Sequence, residues 1–354
     1  MPRSSSLWQL YVARLREFYR QPARIFWVYG FPIVLAVVLG LAFNSGGEPP
    51  TAVVDIVDSG EARTIFGLLG SAASPEEGEV GVVLNLIGPE EAALRLQRGQ
   101  TPLVVTSTGP NRVEYRYDPT RPEALAARAA FDDAYQRALG REDVAESTEL
   151  IVDDPGSRYI DFLIPGLIGV NAMGGGLWGV GFLLVNFRIG KLLKRFQATP
   201  MPRQNFLIAV LGARLTFLIP DLAILLSLGV FGFGMPIRGN LGLVVLMDVV
   251  GALAFAGIGL LIASRAQTTE TVSGLMNLVM IPMWLFSGVF FSYERFPEAM
   301  HPFIKLLPLT QLVDGLRRVI LEGAGPLDVG SNLLILGAWA LATFLIALRI
   351  FRWS

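Results

Sequence analysis

The stretch Ile25–Phe43, IFWVYGFPIVLAVVLGLAF, carries no charge, and Asn44–Arg158, a segment of about 115 residues, is charged throughout. A helix needs about 20 mostly apolar residues to cross a hydrocarbon core of ~30 Å. The first stretch is therefore a membrane span, and the second is too polar to sit in lipid. Five further apolar stretches lie within Tyr159–Phe187, Leu207–Phe233, Leu241–Ala263, Val272–Phe291 and Asn332–Ile350. The layout predicts a polytopic α-helical membrane protein with six transmembrane helices. Its one large domain is inserted between the first two of them.

Composition agrees. Apolar residues make up 52% of the chain and the mean hydropathy is +0.51, which excludes an ordinary soluble globule. The net charge is −1, but the charges are sorted: 20 of the 30 acids fall in Asn44–Arg158, beside ten arginines and no lysine. Residues 1–24 carry Arg3, Arg14, Arg16, Arg20 and Arg24 against Glu17 alone, and 188–206 carries Arg188, Lys191, Lys194, Arg195 and Arg203 with no acid. Arg349 and Arg352 follow the last apolar stretch. Basic residues in short segments beside spans stay in the cytoplasm. The expectation is that both termini are cytoplasmic and that 44–158 is extracytoplasmic. Usage rich in Arg, Ala and Gly fits a bacterial inner membrane.

There is no cysteine, so the external domain is held by its own core. The first span is longer than a signal-peptide core and lacks a small-residue cleavage site after it, which argues for an uncleaved span. His301 is the only histidine, so no His-based metal site and no Ser-His-Asp triad is expected. A P-loop is missing as well: Gly190-Lys191 is followed by leucine and lacks the upstream glycine spacing. Nothing points to an enzyme, a bound cofactor or nucleic acid.

Leu7–Tyr19 places Leu7, Leu10, Tyr11, Leu15 and Phe18 at helical spacing. Within the segment 1–24 it reads as an amphipathic interfacial helix, either a lipid anchor or a docking surface. The domain 44–158 reads as α/β, with strands at Ala52–Asp58, Val80–Ile87, Pro102–Thr106 and Arg112–Tyr117. Its helices are Glu61–Leu69, Pro89–Arg98 and Arg121–Leu139. The remainder, 159–354, is a five-helix membrane part. Within it, 292–331 is too polar for a span and too apolar for a free loop. Short helices dipping partway into the outer leaflet, broken at Pro302 and Pro308, fit that segment.

Pro32, Pro165, Pro220 and Pro282 fall inside apolar stretches, where they mark kinks. Gly175 and Gly179 give a small-xxx-small spacing in the second span that suits helix packing or a dimer interface. Asp221 and Asp248 lie in mid-span, and buried acids usually face a cavity or a partner. Asp221 either lines a path or is neutralised by Arg214, about two turns earlier.

Four motifs occur in order along the chain. Phe26-Trp27-Val28-Tyr29-Gly30-Phe31-Pro32 follows the amphipathic helix, and Phe162-Leu163-Ile164-Pro165-Gly166 opens the second span. Lys194-Arg195-Phe196-Gln197-Ala198-Thr199-Pro200-Met201-Pro202 fills the basic loop. Ser287-Gly288-Val289-Phe290-Phe291 precedes Leu307-Pro308-Leu309-Thr310 and Asp314-Gly315-Leu316-Arg317-Arg318. Together they resemble the permease subunits of type-2 ABC exporters, in the subgroup with a large domain between the first two spans. Where such permeases carry a Glu-x-Gly-Thr-like run, this chain has Arg188-Ile189-Gly190-Lys191-Leu192, without the acid.

The resemblance implies a half-transporter that pairs with a second permease subunit, identical or related, in the lipid bilayer. A separate cytoplasmic ABC ATPase would bind ATP and Mg. Arg188, Lys191, Lys194, Arg195, Thr199 and Pro200 would receive the ATPase movement, and Pro308, Asp314 and Arg317 would belong to an outer lid. A periplasmic partner is a candidate for the external domain. The expected function is ATP-driven export of an amphipathic or hydrophobic substrate. Two rivals stand beside it: a non-transporting assembly protein acting through the external domain, and an ion-coupled carrier centred on Asp221 and Asp248.

Overall fold

A computed structural model describes residues 6–42, 52–72, 81–109, 112–141, 158–197 and 202–350 of the 354-residue chain. It divides into two compact units, one of Met1–Asn44 with Asp153–Ser354 and one of Ser45–Val152.

In the first unit, α1 (Ser6–Tyr19) precedes α2 (Pro22–Ala42). The smaller unit contributes α3 (Gly60–Ala72), α4 (Pro89–Gln97) and α5 (Pro122–Ala138). The first unit then resumes with α6 (Tyr159–Ile189), α7 (Leu192–Gln197), α8 (Asn205–Gly232) and α9 (Leu241–Arg265). It ends with α10 (Thr269–Phe286), α11 (His301–Leu306), α12 (Pro308–Ile320) and α13 (Gly330–Ile350).

Among the described residues, five helices are long and apolar enough to cross a membrane: α2, α6, α8, α9 and α13. The fifth of the six expected spans is present as the 18-residue helix α10 but is not among those five. Thr269, Glu270, Thr271 and Asn277 dilute its apolar character. The segment after it folds into short helical turns and then α11 and α12, with Pro302 and Pro308 each in a first turn. Proline is favoured there because its missing N–H has no helical acceptor to lose. Pro165, Pro220 and Pro282 lie inside helices.

Helix α9 is the centre of this unit, packed against α6, α12 and α13. It crosses α6 at glycines: a Cβ on Gly259 would lie 2.7 Å from the Gly176 carbonyl oxygen, and one on Gly181 2.5 Å from that of Gly259. Close backbone approach of this kind needs residues without side chains. Asn240 caps α9, its side chain accepting from Gly242 N at 2.7 Å. The outward faces of α2, α8 and α13 are apolar, with Val38, Leu41, Ile219, Phe231, Leu334 and Leu341 all exposed, as lipid-facing residues should be.

The second unit, among its described residues, is a four-stranded sheet in the order β2-β1-β3-β4. Its strands are β1 (Ala52–Val57), β2 (Val82–Ile87), β3 (Leu103–Gly109) and β4 (Arg112–Tyr117). β1 pairs in parallel with β2 and β3, and β4 returns antiparallel to β3. Val54, Ile56, Leu103, Val105, Phe131 and Tyr135 build its core, each large aliphatic or aromatic side chain worth about 1.5–3 kcal/mol on burial. Asp55, fully buried in β1, is held by Arg95 Nε at 3.1 Å and by Asn85 Nδ2 at 3.0 Å. Tyr115 donates to Asp132 Oδ1 at 2.7 Å, and burial, reinforced by that carboxylate, pushes its phenol above the ordinary value. Strands and helices follow the order read from the sequence. The expected turn at Asp154–Gly156 lies outside the described residues.

Candidate functional site

Helix α1 is docked on protein. Its Tyr11 hydroxyl meets Thr216 Oγ1 at 2.7 Å, and the Phe18 ring stacks on Phe217 of α8 with centroids 4.0 Å apart. Arg14 lies over the Phe187 ring of α6, 4.1 Å from its centroid, and pairs with Glu17 at 2.6 Å. Burial draws the Arg14 guanidinium below its ordinary pKa, with Glu17 opposing the shift.

Between α1, α2, α6 and α8 lies a cavity of about 730 Å³. Its α6 wall is a stripe at helical spacing that includes Asn171, Gly175, Trp178, Phe182 and Asn186. Trp27 and Val28 of α2 face it, as do Ala213, Arg214 and Phe217 of α8. Two of these walls contain a π-helical turn, at Phe26–Gly30 and at Leu177–Phe182. Such turns are rare and concentrate at functional sites. Here they set Trp27 and Trp178 on the cavity.

A buried polar cluster backs the cavity. Asn171 joins two charges: its carbonyl oxygen accepts from Arg214 Nη2 at 2.9 Å, and its Nδ2 donates to Asp221 Oδ1 at 2.7 Å. Arg214 and Asp221 are 7% and 3% exposed, and Asp248 1%. Among the described residues Arg214 closes no direct ion pair with either acid. Its Nε and Asp248 Oδ1 have no hydrogen-bond partner among those residues.

Asp221 does not line that cavity, whereas Asp248 lines a separate apolar one of about 530 Å³ between α8 and α9. Gly175 receives the Arg214 guanidinium, which a side chain at 175 would overlap, and Gly179 lies beside the Arg214 stem. Both glycines therefore face an arginine of the same chain.

At the far end of α6, Arg188 Nη1 donates to the carbonyl oxygens of Ala263 and Ala266, each at 2.7 Å. It thereby satisfies carbonyls that the end of α9 leaves open and places a cation at the negative end of the helix dipole. The turn that follows holds Lys191 at φ 55, a left-handed conformation, before α7 begins. Lys191, Lys194 and Arg195 are exposed. Thr199 and Pro200 lie outside the described residues.

The segment after α10 is tied down from the other end. Arg317 Cζ sits 3.4 Å from the Phe162 ring centroid. Its guanidinium donates to the Phe162 carbonyl oxygen at 2.9 Å and the Gly288 carbonyl oxygen at 2.6 Å. Gly288 has φ +71, and a Cβ there would come within 3.5 Å of that guanidinium. α12 buries Pro308, Leu309, Leu312, Val313 and Leu316, while Asp314 is only partly covered.

Sequence reasoning missed Asn171, Asn186, Trp27 and Trp178 as cavity residues. The available signal was the recurrence of Asn171, Gly175, Trp178, Phe182 and Asn186 on one helical face.

A family model described as ABC-2 family transporter protein matches residues 23–349. The chain is 28% identical over 180 residues to ABC transporter G family member 20 of Dictyostelium discoideum, covering 50% of this chain and 24% of that protein. It is 31% identical over 114 residues to the linearmycin resistance permease protein LnrN of Bacillus subtilis (strain 168), covering 32% and 30%. With the probable multidrug ABC transporter permease YbhR of Escherichia coli (strain K12) it shares 24% identity over 200 residues, covering 56% and 54%. The chain thus spans from about a quarter to about half of the length of these relatives. Matched by the family model along almost its whole length, and crossed by membrane-long helices, the chain belongs to the ABC-2 family of transporter proteins, as a multi-pass permease subunit.

Proposed function

We propose that the chain is one transmembrane half of an ATP-driven exporter that moves an amphipathic or hydrophobic substrate out of the cytoplasm or inner leaflet. Two such halves pair, and a separate ABC ATPase binds the exposed basic face of α7 from the cytoplasm. The observation that carries the reading is the continuity of α6. The helix that forms one wall of the cavity from Asn171 to Asn186 runs on to Arg188, which grips the end of α9, and a tight turn joins it to Lys191 and α7. A push on Lys191, Lys194 and Arg195 is therefore delivered to the cavity wall and to the central helix together.

Helix α10 supplies the sixth crossing, since its 18 residues rise ~27 Å, close to the ~30 Å of a hydrocarbon core. The distribution of charge favours cytoplasmic termini and an extracytoplasmic 44–158 domain. The names of the relatives, a resistance permease and a probable multidrug permease, fit export of apolar compounds from a bacterial inner membrane.

The test is gentle purification of the tagged chain from its native cell, followed by mass spectrometry. A P-loop ATPase should accompany it and be lost when Lys191, Lys194 and Arg195 are replaced by Glu. Recovery of extracytoplasmic proteins alone, with no ATPase, would overturn the reading in favour of a non-transporting assembly role.

A further inference from the structure

The cavity bounded by α1, α2, α6 and α8 is asymmetric in charge. Among the described residues its lining includes Arg14, Arg24 and Arg214, and no Asp or Glu. Glu17 stands nearby, 2.6 Å from Arg14 and 3.8 Å from Arg24, and so offsets one of those two cations. Arg14 is further engaged by the Phe187 ring. On the deep side, Asp221 is tied up by Asn171, and Arg214 keeps an Nε without a partner while only 7% exposed. A buried guanidinium left short of an acceptor is costly. At the cavity surface the arginines present positive charge, and the ligand group that suits them best is an anionic oxygen, because charge-assisted hydrogen bonds are the strong ones. The remaining walls are aromatic, from Phe18, Trp27, Trp178, Phe182 and Phe217. The volume of about 730 Å³ is that of a site for one small molecule, in the range of about 300–1,000 Å³.

We propose that this cavity binds a single-chain amphipathic anion, a carboxylate or phosphate head among the arginines with its apolar tail along the aromatic walls. An organic cation would meet three guanidinium groups, of which Glu17 offsets one. An uncharged amphipath would leave the arginines that line the cavity without a counter-charge. Naming this ligand a transported substrate rests on the exporter reading, but its binding does not. The same site on the same chain would hold it with no ATPase present.

The experiment uses tryptophan quenching on the purified full chain in an uncharged detergent. The probe is 9,10-dibromostearate, its uncharged twin is the matching monoglyceride, and dioleoyl phosphatidylglycerol serves as a two-chain anionic competitor. The expected result is saturable quenching by the acid, abolished when Trp27 and Trp178 are both replaced by Phe. The uncharged twin should bind about tenfold more weakly, and the two-chain lipid should not compete. Gly174→Leu should block binding without disturbing the fold, because nothing lies within 4 Å of a Cβ at that position. Arg24→Gln should weaken the acid but not its twin. Equal quenching by acid and twin, binding unchanged by Gly174→Leu, or displacement by the two-chain lipid would each overturn the proposal. The last would make the cavity an annular lipid site. Each of these failures would leave ATPase capture by Lys191, Lys194 and Arg195 untouched.

Discussion

The guanidinium of Arg214 occupies the space that a side chain at Gly175 would need. Each residue explains the other: the arginine reaches the Asn171 carbonyl oxygen only because α6 is bare at that point. Gly175→Ala should push Arg214 off Asn171 and destabilise the bundle by about 2–3 kcal/mol. Gly174→Ala, with nothing near its Cβ, should stay within about 0.5 kcal/mol. Thermal unfolding of the two variants in detergent, followed by near-UV circular dichroism, checks the contrast.

Arg188 and Lys191 are neighbours with different tasks. Arg188→Ala should leave ATPase capture intact while cutting substrate-stimulated ATP hydrolysis by about tenfold, because the grip on Ala263 and Ala266 is lost. Charge reversal at Lys191, Lys194 and Arg195 should abolish capture itself. Pull-down and ATPase assays on the same preparations separate the two.

Asp221 and Asp248 discriminate between export and ion coupling. Asp221→Asn keeps an oxygen for Asn171 Nδ2, and Asp248→Asn removes a charge whose Oδ1 has no partner. An ATP-driven exporter should retain transport within about threefold in both. An ion-coupled carrier would lose it, which efflux from cells expressing each variant would reveal.

In the smaller unit, Asp55→Ala would strand Arg95 beside a buried strand. The expected cost is about 2–3 kcal/mol, moderated because Arg95 is partly exposed. Faster hydrogen exchange across β1 and β2 in the full chain is the readout, with the α9 amides unchanged.

The sequence made some of this legible because the signals are local. The length of an apolar run sets a span, and apolar strands alternating with helices that open on Pro89 and Pro122 set the order of the α/β unit. Helix α10 was harder, since Thr269, Glu270, Thr271 and Asn277 dilute its apolar run. Of the cavity only the α6 stripe of Asn171, Gly175, Trp178, Phe182 and Asn186 was legible. The cavity joins faces of four helices, and Asn171 meets Arg214 from 43 residues away. The Gly175–Gly179 spacing reads identically whether its neighbour is another helix or, as here, an arginine. The acceptors named for Arg188 and Arg317 are backbone carbonyls, which leave no trace in residue type.

The most direct test of the exporter reading is uptake of fluorescent amphipaths into inside-out vesicles holding the chain and its captured ATPase. Uptake should require ATP hydrolysis and survive collapse of the proton gradient by an ionophore. Uptake that continues without ATP and stops when the gradient collapses would contradict the account and make the chain a gradient-driven carrier.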